Sequence, residues 1–158
     1  MVSDFYSNLA QAKEAEDIVL NVFSTMSDKY DFVSVSDNPA YYYKGDILAI
    51  SEDGREIGIE VKDDSRIAET MNVLCEDEVY YKSCDYYGKG NMQSDYDIYC
   101  VVSRQEKKIY VIDFDILRAN YRKGEFREIR HPQQTTYCYL LNIGTIQRLG
   151  GLIATIHY

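Results

Sequence analysis

The stretch YYYKGDILAISEDGREIGIEVKDDS, residues 41–65, holds two apolar runs separated by a polar turn. The runs are residues 46–51 and 56–62. Between them, Glu52-Asp53-Gly54-Arg55 contains the Asp-Gly pair favoured in tight β-hairpins, where glycine supplies a positive φ without steric cost. The two runs are therefore expected to be antiparallel neighbours. Side chains alternate faces along a strand, so Glu60 and Lys62 share one face with their Cα atoms about 7 Å apart, and Ile59 and Val61 point to the opposite layer. In such a hairpin Asp46 falls at the same end as Glu60 and Lys62. Two carboxylates and an ammonium then converge at one edge of a sheet otherwise filled with Ile, Leu, Ala and Val.

That grouping has a chemical use. Mg2+ takes hard oxygen ligands and commonly binds one or two carboxylates, leaving the rest of its shell to water and substrate phosphate. Asp46, Glu60 and the Val61 carbonyl supply such a partial shell. Lys62 would orient or help deprotonate an attacking water and offset charge growing on a phosphoryl group. The alternative is structural, with Asp46 capping a turn and Glu60 and Lys62 forming a surface ion pair. Exposed pairs of that kind contribute only about 0.2–1 kcal/mol, so stability alone does not demand this one.

The flanking sequence supports an α/β layering. Residues 3–27 predict a helix from the spacing of Phe5, Leu9, Ala12, Val19, Phe23 and Met26, with Ser3 as its cap. Glu16 sits in that stripe, where an apolar residue is expected. On helix grounds alone it reads as a stripe-edge residue whose stem packs while its head reaches water. The alternative is that it projects inward, where it could complete the ion site or hold a second ion. A strand is expected near residues 32–36. After Lys62, Asp64 or Ser65 and the spacing of Ile67, Met71, Leu74 and Val79 predict a second helix. Residues 86–94 read as a loop, 96–103 and 108–114 as two strands, and 113–121 as a short helix. The first of those strands has the dense apolar run of a strand buried on both faces. Residues 122–134 read as irregular and 135–142 as alternating; the tail mixes a helical turn with Gly150-Gly151.

Gly45-Asp46 followed across a hairpin by Glu60-Val61-Lys62, with a helical Glu16 upstream, resembles the signature of the PD-(D/E)xK phosphodiesterase superfamily, which includes restriction endonucleases and junction resolvases. The resemblance implies a restriction-endonuclease-like αβββαβ core over residues 3–114, a mixed central sheet flanked by helices, and a C-terminal elaboration over 115–158. It implies metal-dependent hydrolysis of DNA, with Asp46, Glu60 and Lys62 catalytic and Mg2+ or Mn2+ held by Glu16, Asp46, Glu60 and Val61. Two departures stand out. Gly45 replaces the proline of the signature, and Asp63-Asp64 follow the lysine where a polyanion would approach.

Composition bounds the rest. The 158 residues suit one domain, and the net charge of −9 opposes a polyanion unless bound cations reverse the local sign. No leader or apolar span is evident, so the expected address is the cytoplasm without membrane association. The four cysteines form no CxxC pair, and reduced thiols are expected. Neither a phosphate-binding GxxxxGKS loop nor a recognisable Ser/Cys–His pair occurs. Of sixteen tyrosines, Tyr80, Tyr81, Tyr86 and Tyr87 cluster beside Lys82 and Lys89, a composition that suits either base stacking or half-buried strands. Arg122, Lys123, Arg127 and Arg130, with Arg118 and His131, form the better candidate for phosphate contact. A second functional reading keeps the nuclease fold without catalysis, as a protein- or DNA-binding module in a phage or defence setting; the acidity favours a basic protein partner there. Self-association as a homo-oligomer is left open.

Overall fold

The computed structural model describes residues 2–158, with side chains from Ser7 onward; Ser3 as a cap and Phe5 in the helical stripe lie outside the described side chains. In chain order the elements are α1 (Val2–Met26), β1 (Tyr30–Ser34), β2 (Ile47–Ser51), β3 (Glu56–Asp63), α2 (Ile67–Thr70), β4 (Asn72–Tyr81) and β5 (Tyr86–Lys89). They continue as β6 (Ile98–Ser103), β7 (Lys108–Asp113), α3 (Phe114–Asn120), β8 (Glu125–Arg130), β9 (Gln134–Asn142), α4 (Ile143–Arg148) and β10 (Leu152–His157). Six strands form a central sheet in the order β1-β2-β3-β6-β7-β10, and four form a second sheet in the order β5-β4-β9-β8. The central sheet is mixed, because β3 and β6 pair in parallel while its other neighbours are antiparallel. The result is the expected mixed α/β fold, a central sheet flanked by helices.

Alternation along β3 assigns its two faces to two layers. Ile59 and Val61 join Ile47, Ala49, Cys100 and Val102 in a core closed by α1. The helix buries Ala15 and Val19 completely and packs Ile18, Val22 and Phe23 beside them, a stripe at three- and four-residue steps. Leu9, Ala12 and Met26, expected in that stripe, are exposed instead. On the other face, Tyr99, Val101, Tyr110 and Ile112 pack against Val73, Cys75 and Leu141 of the second sheet and against Phe114, Leu117, Ile143 and Ile146 of the helices. Burying both faces explains the unbroken apolar run of β6.

The hairpin forms as expected. Ile47 stands opposite Ile59 and Ile50 opposite Glu56, and Gly54 takes φ +81° in the turn. Asp113 caps α3 through its side chain, accepting from the Ile116 N–H at 3.2 Å. Three expectations are corrected. The helix expected after Lys62 lasts only for α2: Met71 enters the left-handed region at φ +55°, and the chain continues as the ten-residue β4. A β-bulge between Glu76 and Glu78 shifts the parity of that strand, so Val79 leaves the face that Val73 and Cys75 occupy and no single period describes the segment. The loop expected over 86–94 contains β5. The segment expected to be irregular over 122–134 contains β8, whose residues are all exposed and which is specified by pairing with β9 rather than by burial.

Gly45 explains the missing proline of the signature. Its φ is +106°, whereas proline is locked near −65°. A Cβ there would stand 2.5 Å from the Ile59 carbonyl oxygen, a backbone atom of β3. Gly45→Ala should therefore lower unfolding stability by about 2–4 kcal/mol through strain and forced separation of the two chains. Denaturant unfolding measures this; a loss no larger than that of Gly54→Ala, where a Cβ meets nothing within 4 Å, contradicts the account.

Candidate active site

The site forms where β3 outruns β2. The last main-chain bond between them runs from the Asp46 N–H to the Ile59 carbonyl at 2.8 Å. Two residues on, the Val61 N–H would lack a backbone partner on that side, and the Asp46 carboxylate takes its place, Oδ2 accepting at 2.9 Å. The Asp46 carbonyl in turn accepts from Val35 at 2.8 Å, so its backbone is fixed from both sides. Glu60, 9% exposed, lies opposite Tyr99 in the parallel pairing with β6, and Lys62 lies opposite Val101. The Lys62 amine is 3.5 Å from Glu60 Oε1, and the Asp46 carboxyl lies close enough to Glu60 for each to act on the other's titration. Asp46, Glu60 and Lys62 are thus brought together at the end of β3, as the hairpin reading expected.

Electrostatics follow from this crowding. Burial, then the nearby Asp46 charge, pushes the Glu60 carboxyl up to about 8 despite the pull of Lys62. Burial also raises Asp46, and Glu16 adds to the rise, while the Val61 N–H and Lys62 oppose it. For Lys62, burial would lower the pKa, but the carboxylates of Glu60, Glu76 and Asp46 outweigh it and hold the amine above its ordinary value.

Glu16 reaches the α1 side of this group closely enough to act on Asp46, yet its own Oε2 is taken by Lys13 Nζ at 3.1 Å and Ser36 Oγ at 2.8 Å. Val61 takes part through its N–H rather than through an observed carbonyl contact. The two aspartates after the lysine are both engaged. Asp63 pairs with Arg104 at 3.0 Å, and Asp64 accepts from the Arg66 N–H at 2.8 Å. Of the four cations proposed to touch nucleic acid, Arg122 pairs with Asp77 at 3.1 Å, Arg127 with Glu125 at 2.8 Å and Arg130 with Glu128 at 3.0 Å. Lys123 donates to Asn120 at 2.7 Å.

Two residues of the site escaped the sequence reading. Glu76, on β4, lines a cavity of about 220 Å3 together with Lys62, Tyr99 and Val101. Its backbone N–H donates to Asn91 Oδ1 at 3.0 Å, and Asn91 Nδ2 donates to the Tyr99 hydroxyl at 2.8 Å, a buried polar relay that sets β4 against the central sheet. Tyr96, almost fully buried, has its hydroxyl beside Glu60, and burial together with that charge raises its pKa. By alternation with Val73 and Cys75, Glu76 is assigned to the other face of β4, so the local sequence does not mark it for this site. Nothing in the local sequence marks Tyr96.

Among the described residues no group of three or more Asp, Glu, His or Cys side chains stands together as a metal cage. The donor set present is a pair of carboxylates, Asp46 and Glu60, whose mutual repulsion a proton or a cation relieves. That matches the one or two carboxylates with which proteins usually hold Mg2+.

No family model matches this chain, and no curated protein matches it in sequence. Among solved structures it is similar to a bacterial homing endonuclease, I-Ssp6803I, with a TM-score of 0.53 and 11% identity, over 82% of this chain and 77% of that one. At that identity the likeness is one of fold, and the fold is one that a nuclease uses.

The buried carboxyl pair makes stability depend on pH in a defined direction. Glu60 titrates at about 8 in the folded chain against 4.5 as its ordinary value, so the folded state binds the proton more tightly. Stability is then highest at low pH and falls as pH rises through that interval. In EDTA, the wild type should lose on the order of 2–4 kcal/mol relative to Glu60→Gln between about pH 5 and pH 8. Parallel pH profiles for the two proteins would contradict the assignment.

Proposed function

We propose that this chain is a divalent-metal-dependent nuclease that hydrolyses a phosphodiester of DNA by attack of water. The observation that carries the reading is the meeting of the Asp46 and Glu60 carboxyl groups with the Lys62 amine at the end of β3, beside a cavity large enough for a phosphate group. The shared fold with a homing endonuclease supports it.

Asp46 and Glu60 would hold Mg2+ or Mn2+, with Glu16 available from α1 for a second ion. When bound, such an ion polarises a phosphoryl oxygen as a Lewis acid and lowers the charge facing the attacking group. Asp46 is preset for this task, because its hydrogen bond from the Val61 N–H, supplied by the fold, fixes the carboxylate through Oδ2 alone. Lys62 orients the attacking water and offsets negative charge that grows on the phosphoryl oxygens. Tyr96 adjoins the Glu60 carboxyl, and the Glu76 carboxylate adds to the charge that keeps Lys62 protonated.

The net charge of −9 favours a second reading, a chain of the same fold that binds without cutting. Incubation of the purified protein with single-stranded, duplex and branched DNA in Mg2+ or Mn2+ separates the two. Cleavage by the wild type should fall about 100-fold or more in Asp46→Ala, Glu60→Ala and Lys62→Ala, each checked for folding by circular dichroism. Calorimetric titration with Mn2+ should give binding heat that Asp46→Ala abolishes. Equal cleavage by all four proteins rejects the assignment, and Mn2+ binding with every DNA left intact moves the protein to the second reading.

A further inference from the structure

The cavity that contains Lys62 and Glu76 adjoins a larger one of about 520 Å3, which runs over the second sheet to Arg127 and Ile129 of β8. Asp64, Arg66 and Leu74 line both, so the two form one groove with Lys62 of the candidate active site at its narrow end. Arg66 stands at the junction. We infer that this groove is the track of the substrate strand and that Arg66 clamps a phosphate next to the one being cleaved. The inference rests on the reading of the site as one for a nucleic-acid phosphodiester.

The charge inventory singles Arg66 out. Arg55, Arg104, Arg118, Arg122, Arg127 and Arg130 each pair with a carboxylate. Among the described residues the Arg66 guanidinium has neither an ion pair nor a hydrogen bond, although acids are plentiful in a chain of net charge −9. Most acids of the groove are already engaged: Asp63 pairs with Arg104, Glu125 with Arg127 and Glu128 with Arg130, and Asp64 accepts from the Arg66 N–H, while Glu76 lies at the Lys62 end. An unpaired guanidinium over a groove most of whose carboxylates are occupied offers its planar fork to a phosphate.

The backbone beneath Arg66 is held in place. Its N–H is bound by Asp64 at 2.8 Å, its carbonyl accepts from Thr70 Oγ1 at 3.0 Å, and the adjacent Ile67 is fully buried. Three residues separate it from Lys62. Substrate binding therefore orders one side chain and no loop, which keeps the entropic cost of the contact low.

Fluorescence anisotropy of a fluorescein-labelled single-stranded oligonucleotide, and of the same sequence as a duplex, tests this without divalent metal and without cleavage. Arg66→Ala should weaken binding of the preferred form about 5- to 20-fold at low salt, and its log–log salt slope should become shallower by about 0.7 for a single strand or about 0.9 for a duplex. Arg66→Lys should keep the slope and recover part of the affinity, since charge is retained and the fork is lost. Arg148, whose guanidinium binds Thr145 and which lies outside the groove, is the control; Arg148→Ala should bind as the wild type does. The inference is overturned if the wild type binds neither form, if Arg66→Ala retains full affinity and slope, or if Arg148→Ala is weakened equally. DNA that binds through Arg66 but stays uncut in Mn2+ ends the nuclease reading and leaves the groove standing. Cleavage with binding indifferent to Arg66 does the reverse.

Discussion

The bond from the Val61 N–H to the Asp46 carboxylate carries both the fold and the site. A buried N–H left without a partner costs about 1–3 kcal/mol, and β3 creates one wherever it extends past the end of β2. Asp46 removes that cost with a side chain, and its 2.9 Å bond fixes a carboxylate beside Glu60 before any ligand arrives. Gly45 is part of the same device. Only a residue without a Cβ can press against the Ile59 carbonyl at φ +106° and still deliver Asp46 to that N–H. Gly45-Asp46 thus acts as one unit, and the proline of the related signature is excluded here by backbone geometry rather than replaced by chance.

Once Asp46 is fixed, the remaining charges are constrained by what burial tolerates. Glu60 and Lys62 project from a strand whose opposite face is sealed by α1, into a layer where Tyr99 and Val101 are fully buried. Carboxylates in that setting demand a proton, a cation or a hydrogen-bond donor nearby. Lys62 supplies one positive charge for Asp46, Glu60 and Glu76, which leaves negative charge in excess. The imbalance costs stability in the empty site and favours any divalent ion or proton that corrects it. A purely structural ion pair would be balanced, and would not bring a third carboxylate in from another sheet.

The hairpin was legible because its signals are local: an Asp-Gly turn, alternation on either side, and polar residues at matching ends of both runs. Glu16 was legible as an anomaly in a helical stripe, though the stripe itself lay at Ala15, Ile18, Val19, Val22 and Phe23 rather than at Leu9 and Met26. The second sheet was not legible, for three separate reasons. In β4 the bulge at Asp77 mixes the two faces and imitates helical spacing; β8 exposes every side chain, so no burial pattern exists to read; and β5 is four residues whose partner lies earlier in the chain. The cost of missing that sheet was Glu76 and the groove, both of which exist only because β4 and β9 lie against the central sheet.

The acidity of the chain takes a different meaning from the distribution of its cations. Most arginines are spent on neighbouring carboxylates, including Arg122, Arg127 and Arg130, which in sequence look like a basic surface. A paired guanidinium presents little net field at a distance, so nucleic acid cannot be attracted by the surface as a whole. On the proposed reading, attraction would have to come from a few positions where positive charge is unbalanced locally, and from any divalent ions drawn to the Asp46–Glu60 pair. Binding of that kind would be short in range and would depend on the approach path. It would disfavour diffuse association with any polyanion and restrict productive contact to a strand entering the groove, so the net charge that argues against nucleic acid in general would become a source of selectivity at one site.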